Sequence, residues 1–231
     1  MRSKPIWLFS KVGHRSHIGA LRRKGTVYCN TVEHFQGTKD GNLRGDPLEN
    51  CTSFYHPDQV KLTVNGHSLT EIVGPIIVYN SPDDVFQATH LFCMTCIYDG
   101  MEMRDDGKIF DERVRDFGEM MLIIKPAAFM TRVENAVTKL QQQGIDIDLY
   151  RGMVEYVPSE KNQHQMNVFR KTDTYAWQSE FRLALRVGNW GGGAFPLQIG
   201  NIADISYVVP IKKFINKYEE LADGRVDLNF S

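Results

Sequence analysis

The stretch Trp177-Gln178-Ser179-Glu180-Phe181-Arg182 has the alternation of a strand that is buried on one side only. Successive side chains of an extended strand point to opposite faces, so Gln178, Glu180 and Arg182 share one face and larger, mostly apolar side chains share the other. The apolar face is expected to pack in a core. A strand over residues 177–187 would then hold three polar groups on a rigid element, as a preorganised site requires.

Two interpretations of this polar face are open. A carboxylate at Glu180, flanked by Gln178 and Arg182, can accept a hydrogen bond from a ribose hydroxyl and stabilise a positive charge that develops on the sugar. These three residues are therefore the candidate catalytic residues. The alternative is a strand face on which Glu180 and Arg182 are exposed or partly paired and have no chemical role.

The rest of the chain predicts more strands than helices, without the regular alternation of the two that a parallel sheet needs. We therefore expect one α+β domain over residues 1–231, with a largely antiparallel or mixed sheet and a few helices. Strands are predicted over residues 6–10, 26–30, 76–79, 89–98, 120–125, 147–156, 177–187 and 202–209, with a hairpin within 60–73 and helices over 17–24 and 131–143. A long polar loop is predicted over residues 35–57, and a closing amphipathic helix carries Ile211, Phe214, Ile215, Tyr218 and Leu221.

Local signals set three of these boundaries. Gly25 follows the first predicted helix, where glycine adopts a left-handed conformation at low cost. Asn65-Gly66 is typical of a type I′ hairpin turn. Thr131 and Glu134 match a capping box, in which each side chain accepts a hydrogen bond from a free backbone N–H at the start of a helix.

The overall charge excludes functions that depend on a strong field around the whole protein. Twenty-seven basic side chains stand against 28 acidic ones, and the formal charge of −1 does not attract nucleic acid or an anionic membrane globally. A local basic patch is predicted at Arg15, Arg22, Arg23 and Lys24. The apolar runs are too short for a signal peptide or a membrane span, and the four cysteines are unevenly spaced. We therefore expect a cytoplasmic protein with no membrane association.

Three motifs that often bind ligands are interpreted as structural. Cys93 and Cys96 fall on a predicted strand at an odd spacing, which points their sulfur atoms to opposite faces and predicts no metal site. The three glycines at residues 191–193 lead into an extended segment and not into a helix, so we expect a connection between strands and no phosphate loop. Arg44-Gly45-Asp46 is predicted to form a turn, and its charges, with that of Glu49, are candidates to line a site.

The order of short motifs along the chain resembles that of an uncharacterised family of bacterial and phage proteins. The matching segments are residues 21–31, Phe35, Arg44-Gly45-Asp46 with Glu49, and Trp177-Gln178-Ser179-Glu180-Phe181-Arg182. Members of this family share a helix–Gly–strand opening followed by Asn and Phe, and a late Trp-x-x-Glu-x-Arg strand. The match covers most of the chain in order.

Gln178-Ser179-Glu180 also resembles the Gln/Glu-x-Glu element of ADP-ribosyltransferases, and the strand–helix–strand opening is similar to that of DNA-modifying toxins of this family. The resemblance implies an ADP-ribosyltransferase-like fold with NAD as substrate. It implies that Glu180 orients the nicotinamide ribose and stabilises an oxocarbenium-like state, that Gln178 selects or activates the acceptor, and that Arg182 gives electrostatic support.

The same resemblance implies where NAD is held. The family places an Arg or His on the first strand of the core, and Lys11 or His14 takes that position here, from the end of the predicted strand. Tyr28 or Thr95 stands in for the middle motif of the family. Tyr28, Asn30 and the segment from Arg44 to Glu49 are expected to line the NAD cleft.

The leading hypothesis is an intracellular effector in bacterial–phage conflict that transfers ADP-ribose to a nucleic-acid or protein acceptor, or that cleaves NAD. A binding protein without catalytic activity, which inhibits or senses a host or phage factor, is the alternative. Its contact surface would be the basic patch together with residues 35–57. A nuclease that uses Asp83, Asp84, Asp105 and Asp106 is the weakest interpretation, because these acids form no compact motif.

Overall fold

The computed structural model describes residues 5–41, 43–69, 72–79, 89–101, 110–188 and 190–212. The strands are β1 (Ile6–Gly13), β2 (Thr26–Thr31), β3 (Cys51–Tyr55), β4 (Leu62–Val64), β5 (His67–Leu69), β6 (Ile76–Tyr79), β7 (Thr89–Tyr98), β8 (Met120–Ile124), β9 (Ile147–Met153), β10 (Glu155–Val157), β11 (Gln163–His164), β12 (Arg170–Thr172), β13 (Glu180–Val187), β14 (Phe195–Gln198) and β15 (Ser206–Pro210). The α-helices are α1 (Arg15–Lys24), α2 (Val32–Gly37) and α3 (Pro126–Gln142), and short 3₁₀ helices span Pro57–Gln59, Glu112–Phe117, Asp173–Gln178 and Ala203–Ile205. The predicted α+β class with largely antiparallel sheets is confirmed.

The main sheet branches at β7. Its strand order is β14-β2-β7-β1-β8-β15, and β13 pairs with β7 and with β9. Both β1 and β2 pair with β7, but at different positions along it. Ser10 lies opposite Thr95, whereas Asn30 lies opposite Leu91. Between these two pairings β1 and β2 separate, and the sheet opens along β7.

One face of β13 packs in the core, as the alternation predicts. Phe181, Leu183 and Leu185 lie in the largest cluster of buried apolar side chains. The Phe181 ring lies 4.6 Å from that of Phe9 in β1, and Phe9 in turn meets Phe129 of α3 at 6.1 Å. Burial of each such side chain stabilises the fold by about 1.5–3 kcal/mol, so β13 is anchored firmly behind its polar face.

The opening strand–helix–strand unit is confirmed, with β1 three residues longer than predicted. Gly25 ends α1 with a φ of 68°, the left-handed conformation that its position predicts. A Cβ atom at this position would lie 1.8 Å from the carbonyl oxygen of Gly200, so close approach of the backbone also requires glycine here. The hairpin turn is confirmed as well, because Asn65 and Gly66 both have positive φ.

The predicted start of the helix over residues 131–143 is wrong. The helix α3 starts at Pro126, and Thr131 lies inside it, where its hydroxyl donates to the carbonyl oxygen of Ala127. Proline is well suited to the first helical turn, because its φ is already helical and its missing N–H is not needed there. The capping box is therefore a coincidence of composition.

The predicted strand over residues 177–187 also begins too early. Asp173–Gln178 is a 3₁₀ helix, Ser179 has a left-handed φ of 43°, and β13 starts only at Glu180. Gln178 is thus not on the strand that carries Glu180 and Arg182. The prediction missed the break because a non-glycine residue in this conformation has no reliable sequence signature.

Three other segments differ in detail from the prediction. The predicted loop over 35–57 contains the end of α2 and all of β3. The predicted strand over 147–156 is divided into β9 and β10, and the last predicted strand starts with a 3₁₀ turn before β15. The closing helix beyond residue 212 and the four acids of the nuclease interpretation lie outside the described residues. Within the described ranges, no helix is both long and apolar enough to cross a membrane.

Candidate functional site

The opening of the sheet forms a cleft of about 720 Å³. One wall is the end of β1, the other is β2, the floor is β7 with the start of β13, and α1 closes the back through Ile18 and Leu21. This volume lies within the range of small-molecule sites. The cleft exists because β1 continues beside β8 after Ser10 and leaves the edge of β7 uncovered until β2 joins it.

Most of the residues predicted to form the site line this cleft. They are Lys11, His14, Tyr28, Asn30, Arg44, Gln178, Glu180 and Arg182. Residues from four separate segments of the chain therefore meet at one place. Their chemical roles stay predictions, since shared location alone does not test them.

Glu180 and Arg182 form part of a buried ion-pair network. Arg182 is 1% exposed, and its Nη1 and Nη2 atoms donate to both carboxylate oxygens of Glu49 at 2.7 and 2.8 Å. Its Nε donates to Oε2 of Glu180 at 2.8 Å. Burial by itself raises the pKa of Glu180, but the charges of Arg182 and Lys171 outweigh that effect, and the pKa is lowered. Glu180 is therefore held as a carboxylate.

Lys171 is a member of the network that the sequence analysis missed. Its side chain is 1% exposed, and Nζ lies 3.7 Å from Oε1 of Glu180 and 4.0 Å from the centre of the Tyr175 ring. A lone lysine near the start of a short strand has no motif around it, so no sequence signal marks this position.

Gln178 links the network to the backbone of the segment over 38–50. Its Oε1 accepts from Nζ of Lys171 at 3.0 Å, and its Nε2 donates to the carbonyl oxygen of Leu43 at 2.8 Å. Both ends of the amide are therefore occupied, and the residue is buried. The acceptor-side role that the resemblance implies requires these hydrogen bonds to break.

The segment over residues 38–50 is tied to this network and covers it. Besides the Glu49–Arg182 pair, the hydroxyl of Tyr175 donates to the carbonyl oxygen of Gly45 at 2.9 Å. Arg44 reaches the cleft, whereas Asp46 and Glu49 are buried behind its wall, so only part of the expected lining role is observed. Burial and the neighbouring Glu49 carboxylate raise the pKa of Asp46 to about 6.

Lys11 lies where the sheet opens. It is within β1 and not at its end, and Nζ donates to the carbonyl oxygen of Cys93 at 2.6 Å, above the ring of Phe92. Burial lowers the pKa of Lys11, and the charge of Glu180 offsets part of this effect. Lys11 forms no ion pair with a described residue, so its charge is directed into the cleft.

A row of polar side chains crosses the floor. Thr95 of β7 is the register partner of Ser10 in β1 and of Glu180 in β13, so the three residues face the same side of the sheet. The hydroxyl of Ser10 is buried and has no hydrogen-bond partner among the described residues. A buried hydroxyl without a partner costs about 1–3 kcal/mol.

The mouth of the cleft is polar and partly charged. His14 is exposed, and its Nδ1 lies 3.0 Å from Oε2 of Glu119, while Oε1 of Glu119 accepts from the backbone N–H of Arg15. These hydrogen bonds lower the pKa of Glu119 to about 2 and cap α1, whose own N-cap side chain makes no such bond. Tyr28 is 57% exposed on the opposite wall, and Asn30 is half-buried where β2 meets β7.

The two cysteines of β7 lie on opposite faces, as their spacing predicts. Cys93 lines the cleft and Cys96 packs in the core. Burial raises the pKa of Cys93 to about 11, so the group facing the cleft is a neutral thiol. In the part of the chain that the structure describes, no three His, Cys, Asp or Glu side chains group as metal ligands. The glycines at 191–193 connect β13 to β14, as expected.

The site is thus a cleft with an ionised, buried carboxylate on its floor, a lysine at the branch of the sheet and a charged mouth. It is built from the branch in the sheet and from one ion-pair network that spans β13, β12 and the segment over 38–50. Comparison of the chain with family models, with curated proteins and with solved structures finds no match.

Proposed function

We propose that the cleft binds NAD and that Glu180 promotes cleavage of the bond between nicotinamide and ribose, with transfer of ADP-ribose to an acceptor or to water. The single observation that carries the proposal is the position of Glu180. It is a carboxylate, kept ionised by Arg182 and Lys171, on the floor of a cleft of suitable size. A buried negative charge that is fixed in place stabilises a positive charge more strongly than one in water.

The two carboxylate oxygens of Glu180 have different neighbours and therefore different proposed roles. Oε2 accepts from Nε of Arg182 at 2.8 Å, which fixes the plane of the carboxylate. Oε1 lies 3.7 Å from Nζ of Lys171, which is beyond hydrogen-bond distance. Under this proposal Oε1 accepts a hydrogen bond from a ribose hydroxyl, and the charge of the carboxylate offsets the positive charge that develops on the sugar.

The bonds balance without any further reagent. The bond from the ribose carbon to the nicotinamide nitrogen breaks, and its electron pair goes to the nitrogen, which leaves as neutral nicotinamide. An oxygen of water, or a nucleophilic atom of the acceptor, forms the new bond to the ribose carbon and loses a proton. Glu180 takes no part in covalent bonding and acts only through its charge and hydrogen bond.

The walls of the cleft support binding of a substrate that carries phosphate groups. Lys11, His14 and Arg44 place basic side chains along it. A nucleic-acid or protein acceptor, and a role in bacterial–phage conflict, are part of the proposal and follow from the sequence resemblance alone.

The test compares Glu180→Gln with Glu49→Gln in an assay of nicotinamide release from NAD. The two glutamates bind the same arginine, but only Glu180 lines the cleft. We expect Glu180→Gln to remove the activity and Glu49→Gln to reduce it only as far as it reduces the folded fraction. Equal activity of wild type and Glu180→Gln would contradict the proposal, as would equal losses in both variants at equal folded fraction.

A binding protein without catalysis is the second candidate, and one observation favours it. The amide of Gln178 is fully used and Glu180 is already paired with Arg182, so the polar face can be explained as structural support. Thermal shift with NAD separates the two candidates, because a ligand that binds the native state raises the melting temperature with its concentration. No rise up to about millimolar NAD, well above an ordinary dissociation constant for such a site, favours the binding protein.

A further inference from the structure

Phe117 presents one face of its ring to the cleft and is held rigidly from behind. It stacks on Trp177 with ring centres 5.9 Å apart and an angle of 26° between the planes. Arg113 covers Trp177 at 4.3 Å from its ring centre, and Asp111 holds that guanidinium with two hydrogen bonds of 2.8 and 2.9 Å. Both rings also pack against a buried cluster that includes Leu8. The ring of Phe117 is therefore preorganised.

Arg44 lies over this ring from the segment over 38–50. Its guanidinium carbon is 5.9 Å from the centre of Phe117, and both residues line the cleft. The side chain is exposed, and among the described residues its guanidinium has no hydrogen-bond or ion-pair partner. Arg44 is thus free to move, while Phe117 is not.

We infer that Arg44 and Phe117 form a subsite for the planar base of a nucleotide, which lies between the guanidinium and the ring. A base between them needs about 3.5 Å on each side, or about 7 Å in total. Arg44 therefore has to move outward by roughly 1 Å from its present distance. Guanidinium groups and aromatic rings both stack on nucleobases, and such stacking does not depend on which base is present.

The inference rests on the proposed function, because it assigns one part of the same cleft to one part of NAD. It deepens that function by naming the chemical group recognised. Two other phenylalanines of the cleft are less suitable for stacking. Phe92 has Lys11 above its ring, and the ring of Phe35 packs edge-on against His34.

The test measures dissociation constants by calorimetry with three probes: AMP, nicotinamide mononucleotide and ribose 5-phosphate. We expect wild type to bind at least one of the nucleotides on the order of tenfold more tightly than ribose 5-phosphate, which has no base. The nucleotide with this advantage shows which end of NAD occupies the subsite. No advantage for either nucleotide overturns the inference.

Variants at both residues sharpen the test. Phe117→Leu should bind the nucleotide no more tightly than ribose 5-phosphate, and its dissociation constant for ribose 5-phosphate should equal that of wild type. Phe117→Tyr should have the wild-type dissociation constants for both probes. Arg44→Ala should lose part of the advantage, and it changes an exposed residue, so it tests the inference even if Phe117→Leu fails to fold. Full retention of the advantage in Arg44→Ala and in any folded Phe117→Leu protein overturns the subsite.

The base-binding subsite and the proposed cleavage of NAD can be tested independently. Glu180→Gln should keep the advantage of the nucleotide over ribose 5-phosphate, because Glu180 is expected to act on the ribose, which all three probes share, and not on the base. If the wild-type protein binds the base but releases no nicotinamide from NAD, the subsite stands and the proposed catalysis is wrong. If Phe117→Leu cleaves NAD with the same KM as wild type, the proposed catalysis stands and the subsite is wrong.

Discussion

Two arginines on the same face of β13 each bind two carboxylates, but one of them is buried and the other is partly exposed. Arg182 is held by Glu49 and Glu180 and is 1% exposed, whereas Arg186 is held by Asp146 and Asp148 and its side chain is 27% exposed. Asp148 is the register partner of Arg186 on the adjacent strand β9, so that cluster stabilises contacts that the sheet already makes. Glu49 is 133 positions from Arg182 in sequence, and their contact joins the segment over 38–50 to the site.

The difference shows what burial adds to an ion pair. An exposed pair gains little, because water and salt weaken the attraction and the side chains lose freedom. A buried network costs much desolvation, and it stabilises the fold only while every charge keeps its partner. The pair at Arg182 is thus a rigid frame for Glu180, while the pair at Arg186 is an ordinary feature of a strand surface.

The largest expected effect comes from removing the buried arginine. Arg182→Met leaves Glu49 and Glu180 buried without their main partner, and the free energy of unfolding should fall by about 3–5 kcal/mol. Arg186→Met is the matched control on the same strand and should cost much less. Urea denaturation of the two variants measures both effects, and equal losses would mean that burial does not distinguish the two arginines.

Much of the site could be predicted from the sequence, in part because some of its residues carry local patterns. The resemblance to ADP-ribosyltransferases, and not a local pattern, predicted Lys11 and Asn30 in the cleft. Alternation placed Phe181 and Leu183 in the core and Glu180 on the other face. These features depend on neighbours within a few positions. They are visible in a single sequence without any knowledge of distant contacts.

The network itself could not be predicted, because its members are far apart in sequence. Nothing near Glu49 indicates that it pairs with Arg182, and nothing near Lys171 indicates that it is buried. The break at Ser179 depends on a left-handed backbone that non-glycine residues rarely adopt. Tertiary contacts determine all three features, and they place Gln178 in the buried network.

The next effect is a dependence of stability on pH that comes from Asp46, beside the buried network. Asp46 has a pKa of about 6 in the fold and about 3.9 when unfolded, so between these values the native state binds more protons than the unfolded state. Asp46 therefore destabilises the protein above about pH 6 and ceases to do so near pH 4. Asp46→Asn keeps an oxygen that can accept from the backbone N–H of Leu48 and removes the charge.

We expect Asp46→Asn to stabilise the fold at pH 7 by up to about 3 kcal/mol and to give no gain at pH 4. Urea denaturation of both proteins at pH 4, 5, 6 and 7 measures the difference, and groups that titrate equally in the two proteins cancel. A difference that stays constant over this range would show that Asp46 is ionised as easily in the fold as in water.

A smaller effect is expected on the pKa of Glu180. Lys171 lies close to Glu180 and lowers its pKa, so Lys171→Met should raise that pKa, and Glu180 should become protonated at a higher pH. If Glu180 acts as proposed, the acidic limb of NAD cleavage moves to higher pH. Lys161→Met changes an exposed lysine and is the control. An unchanged profile in a folded Lys171→Met protein would mean that Lys171 supports Gln178 alone.

The smallest expected effect is a difference between the two arginines in how salt changes their contribution to stability. The Debye length falls from about 10 Å at 0.1 M salt to about 3 Å at 1 M, and exposed charges respond to this change far more than buried ones. The stability difference between wild type and Arg186→Met should therefore shrink as salt rises, because Asp146 and Asp148 are open to solvent. The difference between wild type and Arg182→Met should stay nearly constant, since mobile ions do not reach the buried network. If both differences shrink together, salt reaches Glu180 as well, and the carboxylate on the floor of the cleft is solvated and not held in the low-dielectric setting on which the proposed chemistry depends.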